Sequence, residues 1–313
     1  MLRQAIYAGV DLALDIYRRA VLSGYCADDT CLISSSPRGG STWLAEVVQR
    51  ASHRLMIWEP FHLGYNPDIE EDGFSWFNQL DWREELDPSD PRYVYITKLL
   101  SGQDLSTKTL SKRELSLRDF LQFQGLLVKC VNAGMMIGWI AENFSLPCLH
   151  MVRNPCAVVS SQLKHGAFGH VENEGFVKPS RFLSTHPKFQ DLLDGLNSQE
   201  ELLAFTWCVQ NYTAIKDPAP SLKTVSYETL VTDEQEMARV LEYFGCPIPE
   251  DLSSLTEVNS KTTIDTSKSI RSVDRTTAWK KALPVAKIDE VFRVVEAFGF
   301  ELDDNTGVKL PAS

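Results

Sequence analysis

Nine consecutive residues, Ser34-Ser35-Ser36-Pro37-Arg38-Gly39-Gly40-Ser41-Thr42, constrain this chain more than any other stretch. Before them, Cys31, Leu32 and Ile33 read as the end of a buried strand; after them, Trp43, Leu44, Val47 and Val48 recur at helical spacing. A turn that feeds a strand into a helix points to an α/β fold. Two glycines, an arginine and five hydroxyls also give the turn a use. A helix N-terminus offers unpartnered backbone N–H groups at the positive end of its dipole. Gly39 and Gly40 permit close backbone approach, and Arg38, Ser41 and Thr42 add side-chain donors. Phosphate binding follows, the plain alternative being a serine-rich loop with a simple helix cap. The pattern departs from GxxxxGK[ST], because Gly40 stands where the lysine would precede the metal-holding hydroxyl. The loop asks for phosphate without evident need of a metal.

Further along, apolar runs alternate with helical periods. The short apolar run that opens "HRLMIWEPFHLGY", Leu126 to Cys130, "LPCLHMV" and "LKTVSY" read as strands. "AGMMIGWIAENF", "EELLAFTWCVQNYTAIK" and "EQEMARVLEYFG", closed by Gly245, read as helices. Alternation of this kind predicts a parallel sheet covered on both faces. The expectation is a single-domain, P-loop-like, three-layer α/β fold over residues 1–313, with a central parallel sheet flanked by helices. Residues 1–24 form an amphipathic N-terminal helix in this reading. Residues from about 66 to 116 read as an irregular insertion, either a substrate-covering lid or a packed surface excursion.

A net charge of −11 argues against a broad nucleic-acid surface, so any anion must be held by a local basic pocket. Seven scattered cysteines without a CxxC pair suit reduced thiols rather than a disulfide framework or a zinc site. Asp11, Asp15, Arg18 and Arg19 interrupt the N-terminal stretch too often for a membrane span or signal peptide. These readings predict a cytoplasmic protein with no transmembrane segment; they leave its oligomeric state open. The segment from Thr256 to Thr277 is the most basic window of the chain.

The motifs carry a resemblance. "SSPRGGSTWL" resembles the 5′-phosphosulfate loop, P-[KR]-S-G-[ST]-[ST]-x-L, of sulfotransferases that use 3′-phosphoadenosine 5′-phosphosulfate (PAPS). "HMVRNPCAVVSSQ" is similar to their 3′-phosphate motif, with Arg153 and Ser161 eight residues apart, and "VSYETL" and "RTTAWKKAL" resemble later motifs of the family in the same order. The resemblance spans about Cys31 to Leu283 and implies transfer of a sulfuryl group from PAPS, with PAP as product and no metal required. Pro37 to Thr42 would hold the 5′ end, and Arg153 and Ser161 the 3′-phosphate. Lys268, Arg271 and Arg275 are candidate further contacts, because the Arg-Lys-Gly triplet of the cytosolic branch is missing. Tyr227 and Trp43 would lie near the adenine or serve as core aromatics.

For chemistry, the resemblance implies that Arg38 stabilises the leaving oxygen. The cytosolic branch takes its base from a K-T-H segment; here "LVKCVNA" keeps Lys129 but has Val131 in place of the histidine. "IWEPFH" is instead similar to the glutamate setting of the carbohydrate and tyrosylprotein branches. Glu59 is therefore the first candidate base and His62 the second, the plain alternative for Glu59 being a buried carboxylate paired with an arginine. His165 and His170 beyond the 3′-phosphate helix line the acceptor cleft or are incidental. The acceptor is expected to be a small molecule or carbohydrate with a hydroxyl, or an amine. A P-loop-type kinase using ATP is the competing enzyme, and a nucleotide-binding interaction module without catalysis the competing class.

Overall fold

The computed structural model describes residues 2–111, 116–166, 178–257, 272–304 and 306–311 of the chain. The apolar runs form strands β1 (Cys31–Ser35), β2 (Leu55–Trp58), β3 (Leu126–Cys130), β4 (Cys148–Val152) and β5 (Leu222–Ser226), and a short hairpin, β6 (Leu302–Asp303) and β7 (Gly307–Val308), follows near the C-terminus. The helices up to β4 are α1 (Leu2–Val21), α2 (Ser41–Ala51), α3 (Pro91–Leu100), α4 (Leu117–Leu121) and α5 (Ile137–Asn143). Beyond it come α6 (Pro155–His165), α7 (Ser180–Thr185), α8 (Lys188–Asp194), α9 (Gln199–Lys216), α10 (Tyr227–Thr232) and α11 (Glu234–Tyr243). The last are α12 (Leu252–Glu257), α13 (Ser272–Thr277), α14 (Trp279–Ala282) and α15 (Val285–Ala297). No helix among the described residues is long and apolar enough to cross a membrane.

The five strands are parallel, in the order β2-β3-β1-β4-β5. Every residue of β1, β3 and β4 is buried, which is why they read as mostly apolar rather than alternating stretches, with Ser34, Ser35, Lys129 and His150 the buried polar members. Their side chains divide between two faces. Leu32, Val128 and Cys148 join Ile96, Leu99 and Trp139 of α3 and α5. Ile33, Leu127, Leu149 and Met151 join Leu44, Leu230 and Val240 of α2, α10 and α11. A third cluster fastens α6, α9 and α15 to the end of β4. The result is an α/β fold of three layers, as the sequence predicts.

Strand order decides where a ligand can enter. From β1 the chain crosses to β2, returns to insert β3 between them, and then moves to the other side of β1 for β4 and β5. The loops after β1 and β4 therefore leave in opposite directions, opening a crevice at the C-terminal ends of those strands. Glu59, Lys129, the Ser36–Gly40 turn, Arg153 and Tyr227 all lie at this edge.

The stretch 66–116 is less irregular than expected. Asp90 caps α3 by accepting from Arg92 N, Pro91 opens it, and Ile96, Leu99 and Leu100 bury one face. Ile69, Phe74, Leu80, Leu105 and Leu110 enter the same core, and Leu110 bridges antiparallel to Ile57. The i, i+3, i+4 spacing of the three α3 residues was the legible sign; the surrounding acidic and aromatic residues hide it.

One buried group sets an acid limit on the fold. His150 on β4 is 0% exposed, and its Nε2 meets Asn211 Oδ1 at 2.9 Å. Asn211 Nδ2 already donates to Trp207 O, so Nε2 carries the proton and the buried Nδ1, without a partner among the described residues, does not. Burial pushes the imidazole down to about 4. Between that value and the ordinary 6.5 the unfolded chain binds the proton and the native one does not, so stability falls as pH drops through this window. The contribution is full above 6.5 and amounts to on the order of 3 kcal/mol. Urea unfolding at pH 7 and pH 4.5 checks this: His150→Gln, which keeps an N–H for Asn211, is expected to lose that share of the slope.

Candidate active site

The Ser36–Gly40 turn is built by steric exclusion. Gly39 N donates to Ser36 O at 2.8 Å, and Gly40, at φ 100°, caps α2. A Cβ at Gly39 would lie 2.8 Å from Ser36 O, and one at Gly40 2.6 Å from Tyr227 Cδ2, so neither position tolerates a side chain. Ser35 Oγ donates to Ser41 Oγ at 2.8 Å and closes the turn. The first α2 bond runs from Leu44 N to Gly40 O, which leaves the N–H groups of Ser41, Thr42 and Trp43 at the open helix end. Ser36 Oγ is buried and has no partner among the described residues.

The second basic element faces the first. Asn154 caps α6 by accepting from Cys156 N and Ala157 N, Pro155 occupies the first helical position, and Arg153 is thereby held at the end of β4. Its Nη1 donates to Arg38 O at 3.1 Å and its Nη2 to Arg275 O at 3.3 Å, while the guanidinium lies 4.4 Å over the Tyr227 ring. Arg153 Nε is buried and has no partner among the described residues. Ser161, in the second turn of α6, accepts from Arg38 Nε at 3.0 Å, and Gln162 Nε2 donates to Pro37 O at 2.9 Å. The two basic elements are thus stitched together across the β1–β4 crevice. Arg38 itself is pulled below the ordinary guanidinium range, first by burial and second by Arg153.

Two of the remaining nucleotide candidates are core residues in part. Trp43 and Tyr227, 3% and 6% exposed, meet edge-on at 5.5 Å. Trp43 Nε1 donates to Thr256 O, which also accepts from Arg275 Nη1. Arg275 thus approaches Arg153 with its backbone carbonyl. Lys268, Arg271 and His170 lie outside the described residues.

At the neighbouring strand ends sits the candidate base. Glu59 is 5% exposed; its Oε1 is ion-paired to Lys129 Nζ, and its Oε2 accepts from Val131 N at 2.9 Å. The partner is a lysine, not the arginine weighed from sequence. The position that lacks a histidine supplies a backbone donor instead. Lys129, 2% exposed, also lies 4.4 Å over the Trp58 ring. Strand β3, carrying Lys129, separates β2 from β1, so Glu59 stands about 10 Å across the sheet from the turn after β1. Among the described residues, Arg38 (φ 69°) and Glu59 (φ 48°) are the non-glycine positions with positive φ. Such strain concentrates at functional sites.

His62 is half-buried, stacked on Tyr65 at 4.4 Å and edge-on to Trp76 at 4.9 Å. Burial is the first cause of its lowered pKa, with Glu59 acting the other way. Its Nδ1 has no partner among the described residues. His165 is exposed at the end of α6. Gln162 and Glu228 stand inside the quoted motifs "HMVRNPCAVVSSQ" and "VSYETL", but sequence reasoning gave neither a role; their bonds cross 125 and 74 positions.

No protein-family profile matches the chain, and no curated protein matches it. Among solved structures it is similar to the sulfotransferase domain from the curacin biosynthetic pathway, at 20% identity over 87% of this chain and 98% of that one, with a TM-score of 0.42. It is also similar to the sulfotransferase domain of the Synechococcus PCC 7002 olefin synthase, at 19% identity over 88% and 96% of the two chains, with a TM-score of 0.42. A third is retinol dehydratase in complex with androsterone and inactive cofactor PAP, at 14% identity over 91% and 83%, with a TM-score of 0.42. Likenesses this distant assign no reaction to this chain.

Proposed function

We propose that this chain is a PAPS-dependent sulfotransferase, moving a sulfuryl group to a hydroxyl, or an amine, of a small-molecule or carbohydrate acceptor. The observation that carries the reading is the pairing of two basic elements at one crevice, joined by the Arg38 Nε bond to Ser161 Oγ. A nucleotide with phosphate on both its 5′ and 3′ arms needs both; a nucleoside triphosphate needs only the loop. The residues fit such a group: Ser36 Oγ and Arg153 Nε are buried without partners among the described residues, and side chains at Gly39 and Gly40 would fill its cradle. Bound there, PAPS supplies a sulfuryl group activated by its phosphate leaving group.

In this reading Ser41, Thr42 and Trp43 hold the 5′ arm through their backbone N–H groups, with the Ser41 and Thr42 hydroxyls assisting and Gly39 and Gly40 leaving room for it. Arg153 and Ser161 hold the 3′-phosphate, Tyr227 supports the Arg153 guanidinium, and Lys268, Arg271 or Arg275 complete that side. Arg38 places a permanent cation beside the bridging oxygen, which gains charge as its bond to sulfur breaks. Glu59 takes the acceptor's proton as the acceptor oxygen bonds to sulfur, and Lys129 orients that carboxylate. Tyr65 and Trp76, 61% and 38% exposed beside His62, give the acceptor an aromatic wall on that side of the site. The kinase alternative needs a lysine at position 40, where Tyr227 fills the space of even a Cβ.

Incubating the metal-free protein with sulfur-labelled PAPS and panels of sugars, phenols, alkyl alcohols and amines tests the proposal. Label transfer to at least one class, with release of PAP, is expected. No transfer to any class, together with Mg²⁺-dependent phosphoryl transfer from ATP, would refute it.

A further inference from the structure

Glu228, the second residue of α10, is a carboxylate in an expensive place. It is 5% exposed, and no cation lies within ion-pair distance of it among the described residues. Its Oε1 accepts from Asn154 N at 3.1 Å and its Oε2 from Ser226 Oγ at 3.1 Å. Neither helix end requires it. Ser226 Oγ already caps α10 by accepting from Thr229 N, and the Asn154 side chain already caps α6. What remains is the peptide between Arg153 and Asn154, whose N–H the carboxylate holds. From the other side the β6–β7 hairpin presses on the same residue: a Cβ at Gly307 would lie 2.6 Å from Asn154 Nδ2. Burial pushes the Glu228 carboxyl up, and Arg153 is the first group to oppose that shift, so charge as well as hydrogen bonding couples the two.

We infer that Glu228 is the positioning residue for Arg153: by fixing the Arg153–Asn154 peptide it aims the guanidinium over Tyr227 toward the 3′-phosphate of the nucleotide. The inference rests on the sulfotransferase reading and names the residue that gives its 3′ site direction. Simple charge removal predicts the opposite sign, because deleting an anion beside the crevice would strengthen binding of every nucleotide.

Calorimetric affinities for PAP and for 5′-AMP, which lacks the 3′-phosphate, separate these effects. Wild type is expected to prefer PAP. Glu228→Ala is expected to cut that preference roughly tenfold or more, the cost of a loosened buried N–H, with 5′-AMP affinity nearly unchanged. Glu228→Gln, which keeps an acceptor for Asn154 N, is expected to restore most of it. Should the alanine variant not fold, Glu228→Asp withdraws the acceptor by one methylene and is expected to lower the same ratio. An unchanged ratio in whichever variant folds overturns the inference alone. A wild-type protein with no preference for PAP overturns it together with the sulfotransferase reading.

Discussion

Arg38→Ala is expected to lower kcat by about 10²–10³-fold, the cost of removing one preorganised charge from a developing anion. The pattern matters as much as the size. Charge on the bridging oxygen is present in the transition state and in PAP but not in PAPS, so affinity for PAP should fall along with kcat while KM for PAPS changes less. Arg38 sits at φ 69°, a conformation glycine adopts without strain. Arg38→Gly therefore serves as the control: it should be at least as stable as Arg38→Ala and equally slow. Its Nε bond to Ser161 is lost in both, whereas its carbonyl remains to accept from Arg153. Steady-state kinetics with PAP inhibition constants distinguish this from a passive binding module, for which neither variant would change turnover.

Glu59→Gln is expected to act on chemistry and stability together. With Glu59 in the proposed role of base, its loss is expected to cost about 10²–10⁴ in kcat. The same change leaves Lys129, 2% exposed, charged and without its carboxylate, a defect of about 3–5 kcal/mol. The two losses separate in the double variant Glu59→Gln/Lys129→Met, which should regain most of the stability and none of the turnover. If His62 were the base, His62→Gln would abolish turnover and the double variant would recover it. Thermal unfolding and turnover measured on the three proteins decide between the two.

Legibility in the sequence followed the range of the forces. Strands β1, β3 and β4 were readable because burial on both faces makes them mostly apolar, and the Ser36–Gly40 turn because glycine is the residue that fits against Tyr227 and Ser36. Arg153 was readable through the Asn154-Pro155 helix start that follows it. The pairing of Glu59 with Lys129 was not, since it joins positions 70 apart through strand order alone. Neither was the Arg38–Ser161 bond, which spans 123 positions and turns two expected anion sites into one connected crevice. Helix α3 was obscured by the acidic and aromatic residues around its short apolar face.

Titrating the metal-free protein with PAP, 5′-AMP and 3′-AMP in a calorimeter tests the central claim most directly. One PAP per chain is expected, with affinity falling at least tenfold when the phosphate is removed from either arm. Absence of binding, or equal affinity for all three nucleotides, would contradict a crevice in which the loop after β1 and Arg153 after β4 each grip a phosphate.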